Sequence, residues 1–263
     1  MKGRSCDRMP PLGTREVFLK SYKLNADIFN VYNNLKNSEF DKYAEDYSAN
    51  LGKSTQIFGE EIDFFAEYKV RDLNEFILKN NRKKDLILDF GSGIGNSIPW
   101  FRKYFPESKL ICSDVSSKSL EYSEKRYPGK ENYLLIEDRF DLAENSIDII
   151  FATCVFHHIP EDEHMYWLGE MKRVLKEDGV LCVFEHNPLN PLTRRTVNQC
   201  PFDENAVLIS KNDFVQKLQN AGYNKIEYSY RLFFPNQLAS LRPLEKYMKR
   251  FFLGAQYSVI GLK

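Results

Sequence analysis

The segment Leu86-Ile87-Leu88-Asp89-Phe90-Gly91-Ser92-Gly93-Ile94-Gly95 constrains this chain more than any other part of it. Its run of branched apolar residues reads as a buried strand. The glycines that follow permit a sharp turn and let a ligand approach the backbone closely. An amphipathic pattern over residues 96–105 then opens a helix. A strand, a glycine turn and a helix start, in that order, aim amide N–H groups at a ligand near a helix N-terminus.

The same alternation continues downstream. Residues 109–113, 133–136, 147–152 and 180–184 are short apolar runs that read as strands. Between them lie helical patterns, one beginning at Ser116 and one spanning 161–175 and stopping near Gly179. Strands alternating with helices imply parallel strands joined by right-handed crossovers. Two later apolar stretches, 225–234 and 255–262, complete a sheet of seven strands. The expected fold is α/β and Rossmann-like, a mostly parallel seven-stranded sheet with helices on both faces, an N-terminal helical extension and cap insertions.

With 263 residues the chain has room for one large domain with additions. Residues 1–20 contain a Pro10-Pro11-Leu12-Gly13 break and read as a flexible extension. Residues 21–80 are aromatic-rich at helical spacing and read as an N-terminal helical cap, with 81–263 as the main domain. Residues 188–209 and 235–252 are too long for plain connections and read as insertions over the substrate.

Formal net charge is zero, which counts against a nucleic-acid partner, because phosphate neutralisation calls for a basic surplus. The five cysteines are odd in number, widely spaced and without a Cys-x-x-Cys pair. That excludes a disulfide framework and fits a reducing, cytoplasmic setting. No apolar run reaches the roughly 20 residues of a membrane span. The sequence sets no oligomeric state.

Asp89 decides between two kinds of glycine loop. A dinucleotide loop of the Gly-x-Gly-x-x-Gly type needs glycine at position 96, which is Asn96, and would not place an acid against a pyrophosphate. An acid two residues before the first glycine suits a cationic ligand. Asp89-x-Gly91-x-Gly93-x-Gly95 after the first strand resembles the first signature of class I S-adenosylmethionine-dependent methyltransferases. The resemblance implies a loop wrapped around the amino-acid part of S-adenosylmethionine, formed by Gly91, Gly93 and Gly95, with Asp89 holding the amino group. It places Asp114, at the end of the second strand, on the ribose diol, a role that suits a carboxylate's acceptor geometry. A helix-cap role for Asp114 stands beside that one.

Further along, Glu137-Asp138 offers an acid for the adenine amine, with Asp138 favoured. The segment from Ile147 to Ile159 resembles the family's fourth-strand motif with a His-His-Ile ending, and Asp148 in it reads as structural. The late Leu-x-Pro-Gly-Gly turn of the family is represented by Leu175-Lys176-Glu177-Asp178-Gly179. Tyr43 and Tyr47, at helical spacing, offer π faces to a sulfonium or simply pack a helix. The stretches 185–193, 200–206 and 253–257 resemble a bacterial subgroup associated with polysaccharide or specialised-metabolite biosynthesis.

Methyl transfer is an in-line displacement that depends on alignment and exclusion of water. A hydroxyl acceptor also needs somewhere to put its proton. His157 and His158 follow the fourth strand and His186 follows the fifth, at the carboxyl ends where ligands bind in this architecture. His158, His186 and Glu185 are the candidate catalytic groups, and His157 reads as a packing residue. No metal is expected, since nothing has ligand spacing on one helix or turn. Arg194 and Arg195 read either as a grip on an anionic substrate or as a solvated loop. The sequence lacks the proline-rich segment that an amino-methylating nucleic-acid enzyme would carry after the fourth strand, where it has Thr153-Cys154-Val155-Phe156. The expected partner is a small-molecule or glycan acceptor, methylated on oxygen. Methylation of nitrogen or carbon, or cofactor binding without catalysis, are the alternatives.

Overall fold

The computed structural model describes residues 62–200, 203 and 205–263. Its elements run α1 (Ile62–Lys79), β1 (Leu86–Phe90), α2 (Ile98–Tyr104), β2 (Lys109–Asp114), α3 (Ser117–Arg126), β3 (Asn132–Leu135), β4 (Ile147–Thr153), α4 (His164–Val174), β5 (Leu175–His186), α5 (Pro191–Gln199), α6 (Lys211–Asn220), β6 (Asn224–Arg231), α7 (Glu245–Met248) and β7 (Gln256–Leu262). Short 3₁₀ turns occupy Phe156–His158, Glu161–Glu163 and Asn236–Leu244. Among the described residues no helix is long and apolar enough to cross a membrane.

The seven strands form one sheet in the order β3-β2-β1-β4-β5-β7-β6. β1 pairs in parallel with β2 and β4, β2 with β3, and β4 with β5. β7 runs antiparallel to both β5 and β6. Strand alternation sends successive side chains to opposite faces. Ile87, Ile149, Val180 and Cys182 therefore join Val70, Leu73 and Ile77 of α1 and Ile98 and Phe101 of α2 in one core. Leu88, Ile150, Leu181 and Val183 join Trp167, Leu168 and Met171 of α4 and Phe214 and Leu218 of α6 in the other. Residues 62–79 thus share the core of the main sheet.

One boundary differs from the sequence reading. The helix expected to run through Leu175 ends at Val174, and β5 begins at once. Leu175 is fully buried, extended (φ −64°, ψ 139°), and paired with Ile147. Burial in the sheet wins over helical continuity there. Asp148 explains part of this junction: its two carboxylate oxygens take the Leu86 amide at 3.0 Å and Lys176 Nζ at 2.8 Å.

The two expected insertions carry structure of their own. Helix α5 is capped by the Asn190 side chain, which accepts from the Thr193 amide, and is tied down by Thr193 Oγ1 donating to the Ala255 carbonyl at 2.8 Å. Residues 236–253 expose Leu238, Leu241, Leu244, Tyr247, Phe251, Phe252 and Leu253.

Candidate active site

The parallel strands end on one side of the sheet, and the turns after β1, β2, β4 and β5 meet there. The turn after β1 is fixed by the Gly91 and Ser92 amides, which donate to the Ser113 carbonyl at 2.8 and 2.9 Å. Gly93 and Gly95 both hold left-handed φ, +52° and +80°. A Cβ on Gly95 would stand 2.2 Å from Ser123 Oγ, whereas one on Gly93 would meet nothing within 4 Å. Gly95 is therefore a packing requirement, and Gly93 presents bare backbone to open space.

Asp114 reaches across to this turn. Its Oδ2 accepts from the Gly93 amide at 2.8 Å and its Oδ1 from the Ser116 amide at 2.9 Å. The cap of α3 is Ser116, whose hydroxyl accepts from the Ser119 amide, so the helix-cap role considered for Asp114 falls to Ser116. Asp89 lies at the same corner, 1% exposed, and its Oδ2 has no hydrogen-bond partner among the described residues. Burial raises its carboxyl to about 8, the Asp114 charge adds to the rise, and Lys69 works against it. A buried carboxylate oxygen without a donor is costly unless a cation or donor arrives to meet it. The corner fits the ammonium of a cationic amino acid.

At the end of β4, Cys154 takes φ +58° and the chain turns into the 3₁₀ segment. Glu185, on the neighbouring β5, anchors that turn. Its Oε1 accepts from the Val155 and Phe156 amides at 3.0 and 2.8 Å, and its Oε2 meets His157 Nδ1 at 2.6 Å. Burial would raise the Glu185 carboxyl, but His157 and the amide donors bring it down to about 2. Burial would lower the His157 ring, but Glu185 and Asp203 carry it up to about 10. Glu185 was expected among the proton acceptors. Both its oxygens are engaged, two amides on one and the His157 ring on the other.

His158 is partly exposed, with Nε2 3.4 Å from Asp203 Oδ1. Burial, then the neighbouring His157, hold its ring below the ordinary histidine value. His186 is partly exposed at the end of β5, its Nδ1 3.4 Å from Gln256 Nε2 and its ring centroid 5.1 Å from that of His157. Cys154, Lys69, Gln256 and Tyr68 complete this floor. Lys69 Nζ lies 3.4 Å and Gln256 Nε2 3.7 Å from Cys154 Sγ, and Tyr68 donates to Gln256 Oε1. Burial raises the Cys154 thiol, and His186 and Lys69 more than reverse this, taking it down to about 7.

Asp89, Asp114 and the glycines thus come together, as do His158, His186 and Glu185. Asp138 does not join them by a side-chain bond: it is exposed, and its carbonyl accepts from Tyr166 OH at 2.7 Å. Tyr43 and Tyr47 lie outside the described residues. The sequence reading missed Lys69, Cys154 and Asp203. Only the polarity of Lys69 within an apolar helix face marked any of them.

Residues 88–183, just over a third of the chain, match the family described as "Methyltransferase domain". That match is to a methyltransferase domain, and the strand order β3-β2-β1-β4-β5-β7-β6 is the one typical of the class I methyltransferase fold. Among curated relatives, a trans-aconitate 2-methyltransferase from Rhodopseudomonas palustris is 27% identical over 118 residues, 45% of each chain. A demethylmenaquinone methyltransferase from Thermotoga maritima is 29% identical over 154 residues, 57% of this chain and 61% of the other. The chain therefore spans about half the length of the curated relatives it matches. The solved structure of the plantazolicin methyltransferase in complex with SAH superimposes with a TM-score of 0.56 at 14% identity, covering 86% of this chain and 99% of that one, a likeness of fold. The methyltransferase match begins at Leu88 and ends at Val183, so it takes in the glycine turn, Asp114 and the His157-His158 turn. It excludes Lys69, Glu185, Asp203 and Gln256.

Proposed function

We propose that this chain transfers the methyl group of S-adenosylmethionine to a hydroxyl of a small molecule or glycan. The observation that carries the cofactor assignment is the orphaned, buried Asp89 carboxylate beside a glycine turn of exposed backbone. In this reading Asp89 holds the cofactor's amino group, and Gly91, Gly93 and Gly95 shape the loop around its amino-acid part. Asp114 takes the ribose diol, and Asp138 approaches the adenine edge. When bound, the cofactor supplies a methyl group activated by a sulfonium.

The chain's own residues supply the rest. His158, in the turn after β4, and His186, at the end of β5, stand where an acceptor hydroxyl must give up its proton. Glu185 keeps the turn carrying His157 and His158 in place through three bonds. The insertions 188–209 and 235–252 cover the acceptor and exclude water. Residues 81–263, with 62–79 packed on the sheet, serve as the catalytic domain; the expected extension 1–20 and most of the expected cap 21–80 lie outside the described residues. The stretches 185–193, 200–206 and 253–257 support an acceptor among surface polysaccharides or specialised metabolites.

Calorimetric titration with S-adenosylmethionine and S-adenosylhomocysteine tests the assignment. Micromolar-range binding by the wild type, lost in Asp89→Ala and Asp114→Ala, is the expected result. No binding by folded wild-type protein overturns it. Release of S-adenosylhomocysteine in a screen of hydroxylated sugars and metabolites then identifies the acceptor.

A further inference from the structure

The turn after β4 holds a second group of side chains, apart from the cofactor corner. His157 Nε2 and His158 Nε2 each lie 3.4 Å from Asp203 Oδ1. That separation is long for an N–H···O bond. His157 Nε2 is buried and has no hydrogen-bond partner among the described residues. A ring nitrogen sealed from water without a partner carries an unrecovered desolvation cost.

The other nitrogen of the same ring is committed, since Nδ1 meets Glu185 Oε2 at 2.6 Å. A carboxylate placed there keeps a proton on Nδ1, so a cation that displaces the second ring proton meets the Nε2 lone pair inside the cluster. Metal-binding histidines are commonly oriented in this way. The 3.4 Å spacing has its own meaning. Around a tetrahedral ion with bonds of about 2.0–2.1 Å, ligand atoms stand about 3.4 Å apart, whereas an octahedral ion with those bonds draws them to about 2.9 Å. The three candidate ligand atoms all lie within 4.8 Å of one another.

Backbone bonds at Asp203 and Val207 place the carboxylate beside the turn. The Val207 amide donates to the His157 carbonyl at 2.8 Å, and the Asp203 amide to the Cys200 carbonyl at 3.0 Å. We propose that His157, His158 and Asp203 bind one divalent cation of the zinc class, with a fourth position left for water or an oxygen ligand. Two imidazoles and one carboxylate suit that class better than magnesium or calcium. No local spacing marks it, because the third ligand comes from a distant part of the chain. Cation binding does not depend on the methyl-transfer reading. With the ion in place, His158 is a ligand, and proton acceptance in that reading falls to His186.

The test uses the full chain, free of any affinity tag and stripped with chelator. It is titrated calorimetrically with zinc chloride and, by visible absorption, with cobalt chloride. One zinc per chain is expected, with the intense d–d bands of four-coordinate cobalt. Asp203→Asn and His158→Asn each weaken zinc at least about tenfold, and Glu185→Gln weakens it about 10–100-fold through ring orientation. Circular dichroism checks that each variant folds, and if one does not, the other carries the comparison. The proposal is overturned if folded wild-type protein takes up no zinc, or if both variants bind it as tightly as the wild type. It is equally overturned if nitrogen NMR shows both His157 ring nitrogens still protonated with zinc present, which would make the cluster an imidazolium between two carboxylates.

Discussion

Replacing Asp89 with Asn isolates the cost of the buried carboxylate. Its folded value of about 8 lies some four units above the ordinary 3.8, with burial the main cause. A raised acid favours the protonated folded state. The stability it contributes is therefore whole below pH 3.8 and is lost as pH climbs through about 8. At about 1.36 kcal/mol per unit, ligand-free wild type gives up about 4 kcal/mol between pH 4 and pH 7 through this group alone. Asp89→Asn keeps the shape and never ionises, so it loses none of it. Urea denaturation of both proteins from pH 5 to pH 8 should show the variant gaining on the wild type by about 1.4 kcal/mol per pH unit, then levelling off. In parallel, S-adenosylmethionine binding by the wild type at pH 7 should release about one proton, read as a dependence of the binding heat on buffer ionisation enthalpy. A difference between the proteins that stays constant within about 1 kcal/mol over that range would refute the reasoning, since the carboxylate would then be ionised already in the empty site.

Further outcomes follow from other parts of the site. Gly95→Ala forces a Cβ to within 2.2 Å of Ser123 Oγ at φ +80° and should destabilise by about 2–3 kcal/mol in chemical denaturation. Gly93→Ala meets open space and should cost about 1 kcal/mol of stability while weakening cofactor binding, so equal stability losses in the two variants would count against the assigned roles. In a Cys6→Ser background, iodoacetamide should label Cys154 at a rate that rises with pH through about 7, and Lys69→Met should move that midpoint upward; a midpoint at an ordinary thiol value would contradict the cationic surroundings. Glu185→Ala leaves two amides and the His157 ring unpaired in the interior and should cost about 3–5 kcal/mol in the same denaturation assay, with a loss below about 1 kcal/mol the contrary result.

What the sequence disclosed was local. Leu86 to Gly95 announced a strand, a turn and a helix start because each is decided by neighbours along the chain. Asp114 was legible for the same reason, since it sits one strand later at the same sheet edge. The junction at Leu175 was not, because its conformation is set by pairing with Ile147 across the sheet. Glu185 was legible as a residue at the carboxyl end of β5 but not in its contacts. Strand alternation sends its side chain away from that of the adjacent His186, and the glutamate meets His157 on the neighbouring strand's turn. Lys69 and Asp203 reach the site from flanking segments through tertiary packing, which leaves no periodic trace.

The antiparallel β7 has a consequence for how the molecule is made. It lies between β5 and β6 in the sheet, although β6 precedes it in the chain. During synthesis β6 emerges with no strand to pair with, while the far edge of β5 stays bare. Both edges wait for residues 256–262, and Gln256, which meets Tyr68, Cys154 and His186, arrives with that same strand. The cluster around Cys154 is thus complete only once residues 256–262 have emerged, and a nascent chain stalled before Gln256 exposes two unpaired strands, the kind of surface that aggregates.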